Sequence, residues 1–191
     1  MVIPYYDQNG TIIGLVGRNI RHDPDKGIAK YMYTKGLVRN GTLLNIHNID
    51  RTRELIVVEG VLDYLHAKAC GIDNIIALGG TGFSHRQAEL LKFLGINKIT
   101  LCLDSDKAGQ DATNRIASLI FDKHPDAEVK IARLPAGVKD FDEMLKSKGG
   151  VDKALEIIEK AKIQDKEECE AVRSNAITQE ITQNKAQKLV L

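Results

Sequence analysis

No stretch of the 191-residue chain approaches the roughly 18 to 20 consecutive apolar residues that a membrane-spanning helix requires. The opening, Met1 to Gly10, also lacks a basic region followed by an apolar core, so no secretory leader is read there and a cytoplasmic setting without membrane partners is expected. Cysteine is scarce. Cys70, Cys102 and Cys169 are odd in number, scattered and without a C-x-x-C pair, which argues against a disulfide framework and against a zinc finger. Neither G-x-x-x-x-G-K-[ST] nor G-x-G-x-x-G follows the first strand of the regular central region, so an ordinary doubly wound nucleotide-binding domain lacks support. Strong charge of one sign is missing too, the formal net charge being +1.

What is present is the composition of a folded protein: 43% hydrophobic and 28% charged residues, too apolar for wholesale disorder. The length suits one ordinary domain, or one compact domain with a small satellite. Divided along the chain, Lys and Arg stand against Asp and Glu as 8 to 5 in residues 1–58, 12 to 13 in 59–150 and 7 to 8 in 151–191. Only the first part is basic, which is compatible with a phosphate-backbone contact there.

Residues 1–50 read as a basic, β-rich unit. Met1–Tyr6 and Thr11–Ile20 flank Asp7-Gln8-Asn9-Gly10, a turn whose Asn-Gly supplies positive φ angles for a hairpin. Lys26, Lys30, Lys35 and Arg39 then punctuate an irregular stretch around Tyr31 and Tyr33. Residues 51–150 alternate regularly: strands at 54–59, 74–78, 98–103 and 128–134, with helices at 61–70, 84–94 and 109–121. That alternation implies βαβ units, a parallel sheet and helices on both faces, an α/β fold. Ser84 with Gln87 fits a capping box, and Gly71 and Gly95 stand where helices stop. In 151–191 an amphipathic helix carries Val151, Ala154, Leu155, Ile158 and Ala161, and beyond Gln164 Ile177, Ile181 and Leu189 leave room for a helical tail.

Ligands of open parallel sheets gather at the carboxyl ends of the strands. Three such ends carry Glu59-Gly60, Gly79-Gly80-Thr81-Gly82 and Asp104-Ser105-Asp106. An i, i+2 aspartate pair leaving a strand points both carboxylates to one side. Mg²⁺ favours such hard oxygen donors, usually one or two carboxylates with water and phosphate completing the octahedron. Glu59, from another strand, then serves as general base or third ligand. Singly, each feature has a plainer reading: Asp106 as a helix cap, the glycines as turn residues. A second pair, Asp140 and Asp142, either holds a second ion or caps a helix beginning at Glu143.

The runs Val57-Val58-Glu59-Gly60-Val61-Leu62-Asp63, Ala77-Leu78-Gly79-Gly80-Thr81 and Leu103-Asp104-Ser105-Asp106-Lys107-Ala108-Gly109-Gln110-Asp111-Ala112 resemble the Toprim signature of bacterial-type DNA primases. Ile3-Pro4 to Gly10, Gly17-Arg18, Lys30-Tyr31 and Thr34-Lys35-Gly36 are similar to the segment before Toprim in the primase catalytic core, and Lys139-Asp140-Phe141-Asp142 to its second acidic motif. The resemblance covers roughly residues 1–150 and makes 51–150 the Toprim domain. It implies polymerisation of ribonucleoside triphosphates into a short primer on single-stranded DNA. Catalytic Glu59, Asp104 and Asp106, with Asp140 and Asp142, would bind Mg²⁺ or Mn²⁺. Arg18, Lys30, Lys35 and Lys107 would contact template or nucleotide, while Gly60, Asp63, Gly79, Gly80 and Thr81 support the site. A complete primase adds a zinc-binding domain before this core and a helicase-interacting domain after it. Here no Cys/His cluster builds the first, and the last forty or so residues are short for the second. A fragment of a larger primase or a small primase-like protein of a mobile element is therefore expected. A Toprim nuclease and a non-catalytic Toprim binding module are the alternatives.

Overall fold

The computed structural model describes residues 1–80 and 82–167. Strands β1 (Val2–Tyr6) and β2 (Ile12–Arg18) pair antiparallel, and β3 (Tyr31–Tyr33) adds to β2. The turn between β1 and β2 closes because Gly10 takes φ 83° and the Asp7 carboxylate accepts from the N–H groups of Asn9 and Thr11, each at 2.9 Å. Period-2 alternation turns Ile3, Tyr5 and Val16 inward and leaves Val2, Leu15 and Met32 on the outer face.

The larger sheet has five strands in the order β5-β4-β6-β7-β8. They are β4 (Leu55–Val58), β5 (Ile75–Ala77), β6 (Lys98–Leu101), β7 (Glu128–Ile131) and β8 (Lys162–Ile163). The first four are parallel, and β8 pairs antiparallel along the outer edge of β7. β4 is buried at all four positions because helices cover both sides of it. Leu55 and Val57 face a cluster built with α2 (His85–Phe93) and α3 (Lys107–Lys123), through Leu91, Ile116 and Ile120. Ile56 and Val58 face the opposite cluster, with α1 (Val61–Ala69), α4 (Phe141–Lys146) and α5 (Gly150–Glu159). Ile3, Tyr5 and Val16 of the small sheet belong to this second cluster, so one apolar core runs through both sheets.

Two expectations change at the boundaries. The third helix begins at Lys107 rather than Gly109, and the fourth at Phe141 rather than Glu143, because aspartate caps start each one earlier. On α5 the inward stripe is Val151, Ala154, Ile157 and Ile158, with Ala161 packing just beyond the helix, while Leu155 is exposed. Position 155 lies about 100° around the helix from 154, off the i, i+3/i+4, i+7 line. The edge strand β8 follows α5 within the segment read as helical. The tail marked by Ile177, Ile181 and Leu189 lies outside the described residues.

Candidate active site

The strand ends do what the pattern demanded: β4 delivers Glu59, β5 delivers Gly79 and Gly80, and β6 delivers Asp104 to one side of the sheet. A cleft of about 230 Å³ opens there, lined by Glu59, Gly60, Asp63, Gly79, Gly80, Asp104, Asp140 and Asp142, with Lys30, Tyr31 and Lys139 at its rim. Three expected cations do not line it. Arg18 turns to Tyr31, donating from Nη1 to the phenol oxygen at 3.0 Å; Lys35 is exposed beyond β3; Lys107 is exposed at the start of α3. Thr81 lies outside the described residues.

Both i, i+2 aspartate pairs divide their work. Asp106 Oδ1 accepts from Gly109 N at 2.8 Å and caps α3; it is exposed and does not line the cleft. Asp140 Oδ1 likewise accepts from Glu143 N at 2.8 Å and caps α4, while still lining the cleft. Their partners behave differently. Burial would raise the Asp142 carboxyl, but Lys146 Nζ and His66 Nδ1, the latter at 2.9 Å, hold it below the ordinary range. Asp104 is half-buried and, among the described residues, its carboxylate accepts no hydrogen bond.

Burial first, then repulsion from Glu59 and Asp140, pushes the Asp104 carboxyl up to about 6, against the pull of Lys139. Glu59 is raised as well, by burial and then by Asp106 and Asp63, although the Asp104 backbone N–H donates to it. Asp63 is the most deeply placed. Its carboxylate accepts from Gly60 N at 2.8 Å and from Asp142 N at 2.9 Å, so it staples the start of α1 to α4. A side chain at position 60 would collide with it, since a Cβ there would sit 2.5 Å from Asp63 Oδ2. Burial outweighs both donors and raises Asp63 to about 6.

These shifts set a pH prediction. A carboxyl whose folded pKa exceeds its ordinary value gives stability that is full below pH 4 and lost as pH rises through about 6. In chelator, unfolding free energy should therefore fall from about pH 4.5 to 7.5, Asp63 alone contributing about 2 kcal/mol. Urea melts of wild type and Asp63→Asn check it: equal slopes in the two proteins would refute the assignment.

Several participants are not among the site residues expected from sequence. Tyr33 Oη donates to Gly79 O at 2.7 Å, and Arg39, stacked 3.8 Å from the Tyr33 ring centroid, donates to the same carbonyl at 3.3 Å. They pin the glycine turn, where Gly79 and Gly80 take φ 74° and 80°. His66 and Lys139 join only because α1, α4 and the loop before α4 meet. For Lys139 the adjacent Asp140 was the one hint.

As donors to a divalent cation, Asp104, Glu59 and Asp140 fit: they are hard oxygens, and burial, with repulsion from neighbouring carboxylates second, raises Glu59 and Asp104. Among the described residues, no group of three or more His, Cys, Asp or Glu side chains is poised to hold an ion alone. That donor set suits an ion completed by water and phosphate.

Residues 56–145 match the family model for Toprim-like domains. The DNA primase of Clostridium acetobutylicum is 31% identical over 169 residues, 84% of this chain and 26% of that protein. In the crystal structure of the Aquifex aeolicus primase, comprising zinc-binding and RNA polymerase domains, 29% identity accompanies a TM-score of 0.75 over 85% of this chain and 40% of that one. Residues 56–145 are thus similar to Toprim-like domains, and the chain around them to bacterial primases. The Escherichia coli primase catalytic core superposes with a TM-score of 0.70 at 26% identity, over 85% of this chain and 52% of that one. An uncharacterized Mycoplasma pneumoniae protein is 28% identical, covering 73% of this chain and 65% of its own length. The chain spans about a quarter of the length of the curated primases it matches. The stretch that matches Toprim-like domains runs from β4 to α4, and the likeness to primases, over 84–85% of the chain, extends beyond it.

Proposed function

We propose that the cleft carries out metal-dependent nucleotidyl transfer, joining ribonucleoside triphosphates into short primers on single-stranded DNA, as all or part of a DNA primase catalytic core. The observation that carries this reading is the extent of the likeness: it spans 85% of the chain, well beyond residues 56–145, and Lys30 from outside that stretch lines the cleft. A Toprim-like domain alone would serve a nuclease equally well.

In this reading Asp104, Glu59 and Asp140 hold Mg²⁺ or Mn²⁺, with Asp106 and Asp142 behind them. The ion, when bound, neutralises phosphate charge and favours the deprotonated hydroxyl nucleophile. Glu59, its carboxyl raised by burial and then by Asp106 and Asp63, receives the proton as the 3′-hydroxyl oxygen bonds to the α-phosphorus and pyrophosphate leaves. Lys30 and Lys139 face the triphosphate, and Arg18, Lys35 and Lys107 guide the template by salt-sensitive contacts. Residues 1–50, 51–150 and 151–191 act as template-guiding, catalytic and tethering segments. Any replicative helicase would engage regions outside the cleft, in the cytoplasm where the template lies.

The test is incorporation of labelled ribonucleotides on single-stranded DNA with Mg²⁺ or Mn²⁺, comparing wild type with Glu59→Gln. Primers made by wild type and lost in the variant are expected. Metal-dependent DNA cleavage without primers would instead establish a nuclease, and neither activity a binding module.

A further inference from the structure

We propose that His66 is a positioning residue of this site. With Lys146 it occupies both oxygens of Asp142, which leaves Asp140 alone, of the second aspartate pair, to meet a divalent cation. The inference rests on the nucleotidyl-transfer reading and gives the two members of that pair separate tasks.

Helix geometry sets up the contact. Asp63 and His66 stand three residues apart on α1, the spacing that brings two side chains to one face of a helix. Both reach residue 142 in the first turn of α4. The Asp63 carboxylate accepts from Asp142 N at 2.9 Å, and His66 Nδ1 donates to Asp142 Oδ1, also at 2.9 Å. An ionised carboxylate only accepts, which assigns a ring proton to Nδ1. Lys146, one turn further along α4, donates to Asp142 Oδ2. Residue 142 is thus gripped by its backbone N–H and by both carboxylate oxygens, with only 16% of its side chain exposed. Lys146 is a neighbour in the same helix, whereas His66 comes from 76 residues away and makes the hold a tertiary one.

The neighbouring acids are placed differently. Asp140 lines the same cleft, and while its Oδ1 caps α4, its Oδ2 accepts no hydrogen bond among the described residues. A cation drawing on Asp142 must displace a charge-assisted partner, and the Lys146 ammonium repels it as it approaches. No such partner stands at Asp140 Oδ2. The i, i+2 spacing therefore yields one ligand and one anchor, and the cleft takes a single ion when no nucleotide is bound. His66 does not line the cleft and acts only through Asp142.

The experiment is a Mn²⁺ titration of the full chain followed by electron paramagnetic resonance, without nucleotide or DNA. Wild type should bind one Mn²⁺ per chain. Asp140→Asn should weaken it about tenfold, because affinity follows ligand charge, and Asp142→Asn only about twofold, the effect of a charge nearby. His66→Leu combined with Lys146→Met releases Asp142 and should add a second, weaker Mn²⁺. That ion should vanish when Asp142→Asn is added, or when His66→Gln takes the place of His66→Leu, since the amide can still donate. Two Mn²⁺ on wild type, or equal weakening by Asp140→Asn and Asp142→Asn, overturns the inference and leaves metal-dependent transfer in place. So does a single Mn²⁺ on the released variant, where a lower melting temperature alone would mark His66 as merely structural. Should that variant not fold, the two asparagine variants still decide. The expected Mn²⁺ pattern without primer synthesis sinks the nucleotidyl-transfer reading alone, and no bound Mn²⁺ sinks both.

Discussion

Asp104→Ala is expected to reduce ribonucleotide incorporation about a thousandfold, the scale on which a positioned catalytic group or charge acts. Asp104 is the carboxylate with most to give a cation: half-buried, at a strand end, and accepting no hydrogen bond among the described residues. Its charge is held against Glu59 and Asp140, so deleting it removes repulsion. The variant should therefore melt no lower than wild type above about pH 6, and any Mg²⁺-induced rise in melting temperature should shrink with it. Asp106→Ala is the informative contrast. Losing its bond to Gly109 N should cost about 1 kcal/mol, typical of an N-cap. Primer assays and melts of both variants decide the matter: full activity in Asp104→Ala would remove the site assignment.

Gly109→Ala should be the most damaging single methyl in the molecule's active half. Glycine inside an exposed helix normally costs stability, so alanine there would ordinarily help by up to about 1 kcal/mol. Gly109 is buried in the first turn of α3, and a Cβ on it would stand 2.2 Å from Asp104 O and 2.8 Å from its carbonyl carbon. Backbone on both sides cannot yield without moving α3 away from the end of β6. The expected cost is about 3 kcal/mol, at the high end for overpacking, or roughly 6 to 12 °C in melting temperature for a domain of this size. Activity should fall with stability, because the displaced turn carries both Asp104 and Asp106. A Gly109→Ala protein that melts as high as wild type would show that α3 does not press on the strand end.

The alternating strands and helices were legible because burial on one or two faces writes its period directly into the residues. Ser84 and Gln87 show how far this goes. The capping box read from their spacing is present, with Ser84 N donating to Gln87 Oε1 at 2.8 Å. What spacing could not show is that Gln87 Nε2 also reaches Thr42 O at 2.7 Å, tying α2 to the N-terminal segment 45 residues away. The aspartate pairs mark the same boundary. Their i, i+2 spacing placed acids at strand ends, but a cap and a free carboxylate look identical in sequence.

The sequence by itself therefore determined the α/β class, the strand ends and the cluster of acids, since these follow from local periodicity and chain order. The division of roles among those acids was decided only by tertiary structure. Among the described residues Asp104 accepts no hydrogen bond, Asp63 staples α1 to α4, and Asp142 is held by His66 and Lys146. Which cations line the cleft was decided in the same way: Lys30 and Lys139 do, and Arg18, Lys35 and Lys107 do not. The physical reason is that hydrogen bonding, burial and charge repulsion depend on distances through space, between groups that the chain separates by as many as 79 residues.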